Sequence, residues 1–98
     1  MTNGETHGQE EWTIPFTVAK NKTKEPLREC VRDALNSYFV KLDGHKTANL
    51  YQLVLAEVEQ PLLETVMKQA EGNQTRAAAL LGISRSTLRK KLTIYQLD

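Results

Sequence analysis

The C-terminal quarter of the chain carries cations at a spacing that suits binding of a polyanion. Residues 73–98 hold five Lys or Arg and one acid, whereas residues 1–72 hold eight Lys or Arg and eleven Asp or Glu. Four of the five cations lie within about two helical turns of one another: Arg85, Arg89, Lys90 and Lys91. A net charge of +1 hides this asymmetry, which favours a polyanion partner for the basic end, although such runs are also typical of a solvated helix face.

The residues around these cations predict two short helices joined by a tight turn. Asn73 or Thr75 is suited to cap the first helix, and Gly82 permits a left-handed turn after it. Ser84 is suited to cap a final helix that runs from residue 85 to about residue 95. Its inward-facing residues are expected to be Leu88, Leu92 and Tyr95. This pattern is a helix-turn-helix.

A helix-turn-helix inserts its second helix into the major groove, with the first residues near base edges. We therefore expect Arg85 to bind guanine N7 and O6 through two hydrogen bonds, and Arg89 to reach the groove wall or a base. Free N–H groups at a helix start also attract phosphate. The expected phosphate ligands are Lys90, Lys91, Asn73 and Thr75.

Two longer amphipathic helices are predicted upstream of this motif. Pro26 is expected in the first turn of the first helix, which ends at residues 43–45 with Gly44 in a left-handed cap. The second is expected from about Asn49 to Ala70, capped by Thr47 or Asn49 and ended by Gly72. Its apolar periodicity continues past Pro61, which favours one kinked helix over two.

The N-terminal part lacks helical periodicity. Residues 1–11 are polar and predict a disordered tail instead of a signal peptide. Apolar residues then alternate with others from Trp12 to Ala19, which is a strand pattern, and Pro15 restricts that strand to an edge or an exposed arm. A turn at Asn21 with residues 22–24 returning would complete a small hairpin.

Composition excludes several classes of function. One cysteine, Cys30, excludes an internal disulfide, and His7 and His45 lack metal-ligand spacing, so no cofactor is expected. No apolar run approaches the roughly 18 residues of a membrane span. Glu57, Glu59 and Glu64 lack an accompanying nucleophile and are expected on a solvated face or in a salt bridge, so the chain is not predicted to be an enzyme.

The two long helices carry more apolar surface than one antiparallel pair can cover. A chain of 98 residues has a marginal core when its first residues are unstructured. A dimer that builds a four-helix bundle from two copies of each helix would cover this surface. The alternative is a monomer in which the last segment folds back over the pair.

Several stretches of the chain together resemble the Fis family (factor for inversion stimulation), which comprises DNA-bending proteins of the bacterial nucleoid. The resemblance is carried by NQTRAA at 73–78, LGI at 81–83, Arg85 and TLRKKL at 87–92. It continues upstream through NLYQLVLAEVEQPLL at 49–63, with its mid-helix proline, and PLR at 26–28. It therefore covers most of the chain.

The resemblance implies a homodimer whose first two helices interlock and whose recognition helices lie too close together for straight DNA. Binding would then bend the duplex at degenerate sites with A·T-rich centres. The implied roles are nucleoid organisation and transcription regulation in the bacterial cytoplasm. The DNA-contacting positions implied for this chain are Asn73, Thr75, Arg85, Thr87, Arg89, Lys90 and Lys91. Ser84 replaces the Asn commonly found there, so it would serve as a cap or reach phosphate only.

The family also implies two protein-contacting surfaces. Its N-terminal arm touches site-specific DNA recombinases and activates inversion, which points here to Phe16, Lys20 and Lys22, although the arm sequence differs from the usual one and can equally pack on its own bundle. Its turn before the helix-turn-helix contacts RNA polymerase. That turn corresponds here to Lys68, Glu71, Gly72 and Gln74.

The sequence therefore predicts an all-α fold of four helices per subunit, with a short N-terminal β-hairpin. Residues 1–25 would form the arm, 26–72 the dimerisation helices and 73–98 the DNA-binding region. The rival hypothesis is a helical adaptor that docks proteins through its basic C-terminal helix.

Overall fold

The structure is a computed structural model that describes residues 16–20 and 23–98. Its elements are β1 (Thr17–Lys20), β2 (Thr23–Pro26), α1 (Leu27–Leu42), α2 (Leu50–Gln69), α3 (Gln74–Leu81) and α4 (Arg85–Ile94). The four predicted helices and the short hairpin are confirmed. The chain divides into two compact units between Thr47 and Ala48. This structural division differs from the three functional segments expected from the sequence, which stay predictions.

The first unit contains the hairpin and α1. β1 and β2 pair antiparallel, with Thr17 opposite Pro26, and the N–H of Leu27 donates to the carbonyl of Phe16 at 3.0 Å. Pro26 is therefore the last residue of a strand, not part of the first helical turn as the sequence predicted. Its φ of −60° suits both conformations, and its ψ of 145° is extended. The predicted tail and the turn at Asn21 lie outside the described residues.

The end of α1 differs in detail from the prediction. Asp43 is the left-handed cap, with a φ of 50°, and Gly44 is left-handed as well. A short polar side chain makes the left-handed region accessible to aspartate. Thr47 does not cap α2, since Asn49 occupies the N-cap position, and the Thr47 hydroxyl is hydrogen-bonded to that of Tyr38 at 2.8 Å.

The second unit contains α2, α3 and α4. α2 continues through Pro61 as a single helix, as predicted. Asn49 occupies the N-cap position but is left-handed, and its side chain makes no capping hydrogen bond. Beyond α2, Glu71 and Gly72 both have positive φ, and the N–H of Gly72 donates to the carbonyl of Met67 at 3.0 Å. This turn leads directly into α3.

Six small or aliphatic side chains form the core of the second unit. They are Leu63, Ala70, Ala77, Ala78, Leu88 and Leu92. Alanines on α3 allow α4 to approach closely, and Leu81 and Ile83 pack against the edge of this cluster. The inward position predicted for Leu88 and Leu92 is confirmed, because both are fully buried. Leu80, the neighbour of Leu81, is 60% exposed and does not belong to this cluster.

The contrast between two leucines gives a test of this core. Leu88→Ala removes a fully buried side chain and should lower the free energy of unfolding by about 2–5 kcal/mol. Leu80→Ala, at an exposed site, should change it by no more than about 0.5 kcal/mol. Urea unfolding at one fixed protein concentration measures both. Equal losses for the two variants would contradict the assigned orientation of α3 and α4.

Candidate nucleic-acid interface

The first element of the candidate interface is the start of α3. The side-chain carbonyl oxygen of Asn73 accepts from the N–H of Arg76 at 3.0 Å, which confirms its predicted role as the cap. The NH2 group of the same amide can donate to an anion outside the helix. Thr75 is exposed in the first turn. Both predicted phosphate ligands therefore lie at the positive end of a helix dipole.

The turn between α3 and α4 fixes how the second helix is presented. Gly82 has a φ of 76°, and the N–H groups of Gly82 and Ile83 both donate to the carbonyl of Ala78, at 2.9 and 3.1 Å. The predicted left-handed glycine is thus confirmed. Ile83, half-buried, packs against the core immediately before α4 begins. Only a short, hydrogen-bonded turn therefore separates the two helices.

Ser84 forms the cap of α4 through its hydroxyl. Its Oγ accepts from the N–H of Thr87 at 3.1 Å and donates to the Thr87 Oγ1 at 2.9 Å. The capping role predicted for Ser84 is confirmed, and its reach to phosphate stays a prediction. Since the Thr87 hydroxyl oxygen accepts a hydrogen bond from Ser84, its own hydroxyl hydrogen is left to donate to an outside oxygen.

The outward face of α4 carries the predicted DNA contacts. Leu88 and Leu92 point into the core, Lys91 is half-buried, and the remaining side chains of the helix are exposed. The exposed ones among the predicted contacts are Arg85, Thr87, Arg89 and Lys90. Within residues 16–20 and 23–98, no acidic side chain forms an ion pair with these three cations. Their charge is therefore available to an outside anion.

Lys91 is placed differently from its neighbours. Its Nζ lies 2.7 Å from the Glu59 Oε2 on α2, and the Tyr95 hydroxyl donates to the other carboxylate oxygen, Oε1, also at 2.7 Å. We call Glu59, Lys91 and Tyr95 the Glu59 cluster. The side chain of Glu59 is only 16% exposed and that of Lys91 32%. The ammonium of Lys91, and then the hydroxyl of Tyr95, hold the pKa of the Glu59 carboxyl below its usual value, while the same carboxylate raises the pKa of Tyr95.

Sequence reasoning offered a salt bridge as one role for Glu59 but did not identify its partners. Lys91 and Tyr95 are four residues apart and therefore share a face of α4. A cation and a phenol so placed beside a buried stripe are the signal that points to an acid on a neighbouring helix. The phosphate contact predicted for Lys91 stays a prediction, and the structure adds a partner within the same chain.

The two predicted protein-contacting surfaces fall in different units. Lys68, Glu71 and Gly72 are exposed at the end of α2, and Gln74 is half-buried at the start of α3. Phe16 is 68% exposed beside β1, Lys20 ends that strand, and Lys22 lies outside the described residues. Their contacts with RNA polymerase and recombinase stay predictions.

Other kinds of site are not found in the part of the chain that the structure describes. There, no three His, Cys, Asp or Glu side chains come together in a way that could hold a metal ion. The helices described are also too short or too polar for any of them to span a membrane.

Comparison with known proteins gives matches over both units. Residues 1–47 match the family model described as the DNA-binding protein Fis N-terminal domain, and residues 54–95 match that of the bacterial regulatory protein, Fis family. The DNA-binding proteins Fis of Yersinia enterocolitica, Enterobacter sp. strain 638 and Pectobacterium carotovorum are each 57% identical to the chain over 76 residues. Each alignment covers 78% of this chain and 78% of the relative.

The Glu59 cluster predicts how stability depends on pH. Because the pKa of Glu59 is lowered in the folded chain, its ionised form stabilises the fold above the ordinary value of 4.5, and this contribution is lost as pH falls through the lowered pKa. Glu59→Gln removes the contribution at every pH. The difference in free energy of unfolding between wild type and variant should therefore shrink from neutral pH to well below 4.5.

Urea unfolding over this pH range, at fixed protein concentration, measures the difference. Glu57→Gln is the matched control, since Glu57 is an exposed glutamate on the same helix. A wild-type advantage over Glu59→Gln that stays constant as the pH falls would show that the ion pair does not stabilise the fold.

Proposed function

Because the chain belongs to the Fis family of bacterial DNA-binding regulatory proteins, we propose that it acts as a homodimer that binds and bends duplex DNA through α4. Members of this family are DNA-binding regulatory proteins and not enzymes. The observation that carries the proposed mode of binding is the exposed set of Arg85, Arg89 and Lys90 on a helix anchored from its opposite side. We propose that this binding serves nucleoid organisation and the regulation of transcription.

The contacts divide by chemistry. Arg85, in the first turn of α4, binds guanine N7 and O6 through its planar guanidinium, and Arg89 follows one turn later at the groove wall or a base. Lys90 and Thr87 bind phosphate. Asn73 and Thr75 bind a further phosphate at the start of α3, aided by the helix dipole. Ser84 caps α4 and is a weaker candidate for phosphate.

The proposed dimer rests on apolar side chains that the chain itself leaves exposed. α1 is amphipathic, yet none of its residues is buried, and Val40 is 76% exposed. In α2 only Leu63 is buried, while Tyr51 and Leu53 are 74% and 53% exposed. Further exposed apolar side chains on these two helices are Leu27, Phe39, Val58 and Leu62. A second copy of α1 and α2 would cover this surface in a four-helix bundle.

Such a dimer presents two recognition helices to one duplex. We propose that their separation requires the DNA to bend and that sites with a narrow, A·T-rich centre are favoured because they deform easily. We further propose that the arm with Phe16, Lys20 and Lys22 contacts a DNA recombinase and stimulates inversion. The turn with Lys68, Glu71, Gly72 and Gln74 is proposed to contact RNA polymerase. A bend assay and gel shifts on A·T-centred duplexes flanked by G·C test the first of these proposals.

Arg85→Ala tests the assignment of base recognition. Loss of a guanine contact should cost about 1–3 kcal/mol of binding free energy at a preferred site and flatten the preference for guanine there. Fluorescence anisotropy with one preferred and one scrambled duplex of equal length measures both quantities at a stated salt concentration.

Lys90→Ala is the control for Arg85→Ala, because loss of a phosphate contact should weaken binding to both duplexes equally. An unchanged preference in Arg85→Ala would contradict the base contact. The adaptor hypothesis makes a separate prediction: wild-type binding to duplex DNA would be weak and nearly independent of salt.

The dimer is tested by sedimentation. Wild type is expected to be a dimer at micromolar concentration, and Leu53→Glu should shift it toward monomer, because a charge placed in the apolar bundle is costly. Leu80→Glu changes an equally exposed leucine on α3 and should leave the dimer intact. A monomeric wild type, or equal effects of the two variants, would contradict this arrangement.

A further inference from the structure

One cation on the recognition helix already has a counter-ion within the chain. Arg85, Arg89 and Lys90 are exposed, whereas the Lys91 ammonium lies 2.7 Å from the Glu59 carboxylate. Tyr95, the C-cap residue of α4, donates to the other oxygen of the same group. Two donors, one in α4 and one at its C-terminal end, therefore bind the same carboxylate on α2.

We propose that Glu59 is a positioning residue for DNA recognition, which keeps Lys91 bound to α2 in the DNA complex and, together with Tyr95, fixes the rotation of α4. This inference rests on the proposed function, because it assumes that α4 is the recognition helix. It changes the set of phosphate ligands: Lys90 binds phosphate directly, and Lys91 acts through the placement of α4.

The burial of Glu59 favours persistence of the ion pair. The side chain of Glu59 is 16% exposed, so its carboxylate has lost part of its hydration and its charge is stabilised by partners within the protein. If Lys91 left for a phosphate, Glu59 would keep one neutral donor, Tyr95, and an uncompensated charge. Removing one partner of a part-buried ion pair leaves the other charge uncompensated, which is costly. A solvent-screened contact with phosphate offsets that cost only partly.

The geometry also explains why two donors matter for position. Leu88 and Leu92 hold α4 by apolar contacts, which tolerate small rotations and shifts because they are not directional. Hydrogen bonds from Lys91 and Tyr95 are directional and lie one turn apart, so they oppose both rotation and sliding of α4 on α2. Arg85, in the first turn of this helix, depends on the same placement to meet a base edge.

A salt titration of DNA binding separates this role from direct phosphate contact. Each phosphate contact contributes about 0.9 to the slope of log affinity against log salt, which is about a 3.5-fold change in affinity between roughly 50 and 200 mM salt. The full chain is compared with three variants: Glu59→Gln, the Glu59→Gln and Lys91→Met double variant, and Lys90→Met. Glu59→Gln keeps an oxygen acceptor for Tyr95 and loses only the charge.

In Glu59→Gln, the released Lys91 becomes free to bind phosphate, so the slope should steepen by up to about 0.9 per subunit. The ratio of affinities for preferred and scrambled duplexes should fall, because α4 has lost a directional anchor. In the double variant two uncharged side chains replace an ion pair of zero net charge. The slope should therefore equal that of wild type. Lys90→Met should make the slope shallower by about 0.9 per subunit.

The outcomes distinguish failure of this inference from failure of the proposed function. A salt slope of the double variant as shallow as that of Lys90→Met would show that Lys91 binds phosphate in wild type. This result would overturn the inference. An unchanged slope in Lys90→Met would overturn the assignment of the interface itself. Circular dichroism confirms that each variant is folded.

A measurement on the wild-type protein does not depend on any variant. The side-chain ammonium signals of Lys90 and Lys91 are followed by NMR as duplex DNA is added. The Lys90 signal should shift and that of Lys91 should keep its position. Equal shifts of both signals would overturn the inference.

Discussion

The burial of Leu88 and Leu92 is the interaction on which the rest of the second unit depends. α4 is short and rich in cations, so it has little tendency to stay in place without an apolar anchor. These two leucines, one turn apart, bury one side of it against α2 and α3. The opposite side, which carries the cations, therefore faces solvent. Burial of one side of the helix thus accounts for exposure of the charges on the other.

The charge of the C-terminal region is thus divided between two tasks. Three cations of α4 are exposed and available to an outside anion, while Lys91 forms an ion pair with a part-buried carboxylate. Sequence position alone cannot make this distinction, since Lys90 and Lys91 are adjacent and chemically identical. The difference of about 100° between successive residues of a helix sends one toward solvent and the other toward α2.

Local signals in the sequence were sufficient for most of the second unit. Asn73, Gly82 and Ser84 each satisfy backbone groups within four residues of themselves, and all three were identified from residue type and spacing. The features that were misassigned or missed depended on longer range or on near-equal alternatives. Pro26 has a φ that fits strand and helix alike, and the partner of Lys91 is 32 residues away, where only the fold brings it into reach.

Two consecutive residues of α2, Leu62 and Leu63, show that one helix contributes both to the core of the second unit and to an exposed apolar surface. Leu63 is buried under the helix-turn-helix, and Leu62 is 46% exposed on the surface proposed for the partner copy. The helix therefore fixes the rotation of the helix-turn-helix relative to the exposed apolar surface of α2. Adding a single residue between Leu53 and Glu59 would rotate the helix-turn-helix by about 100° relative to the exposed Leu53 side of α2, whereas adding seven residues would nearly restore its orientation, about 10 Å further along the helix axis. Length variation within this stretch is therefore expected in whole pairs of turns, a constraint that the loops of the molecule do not share.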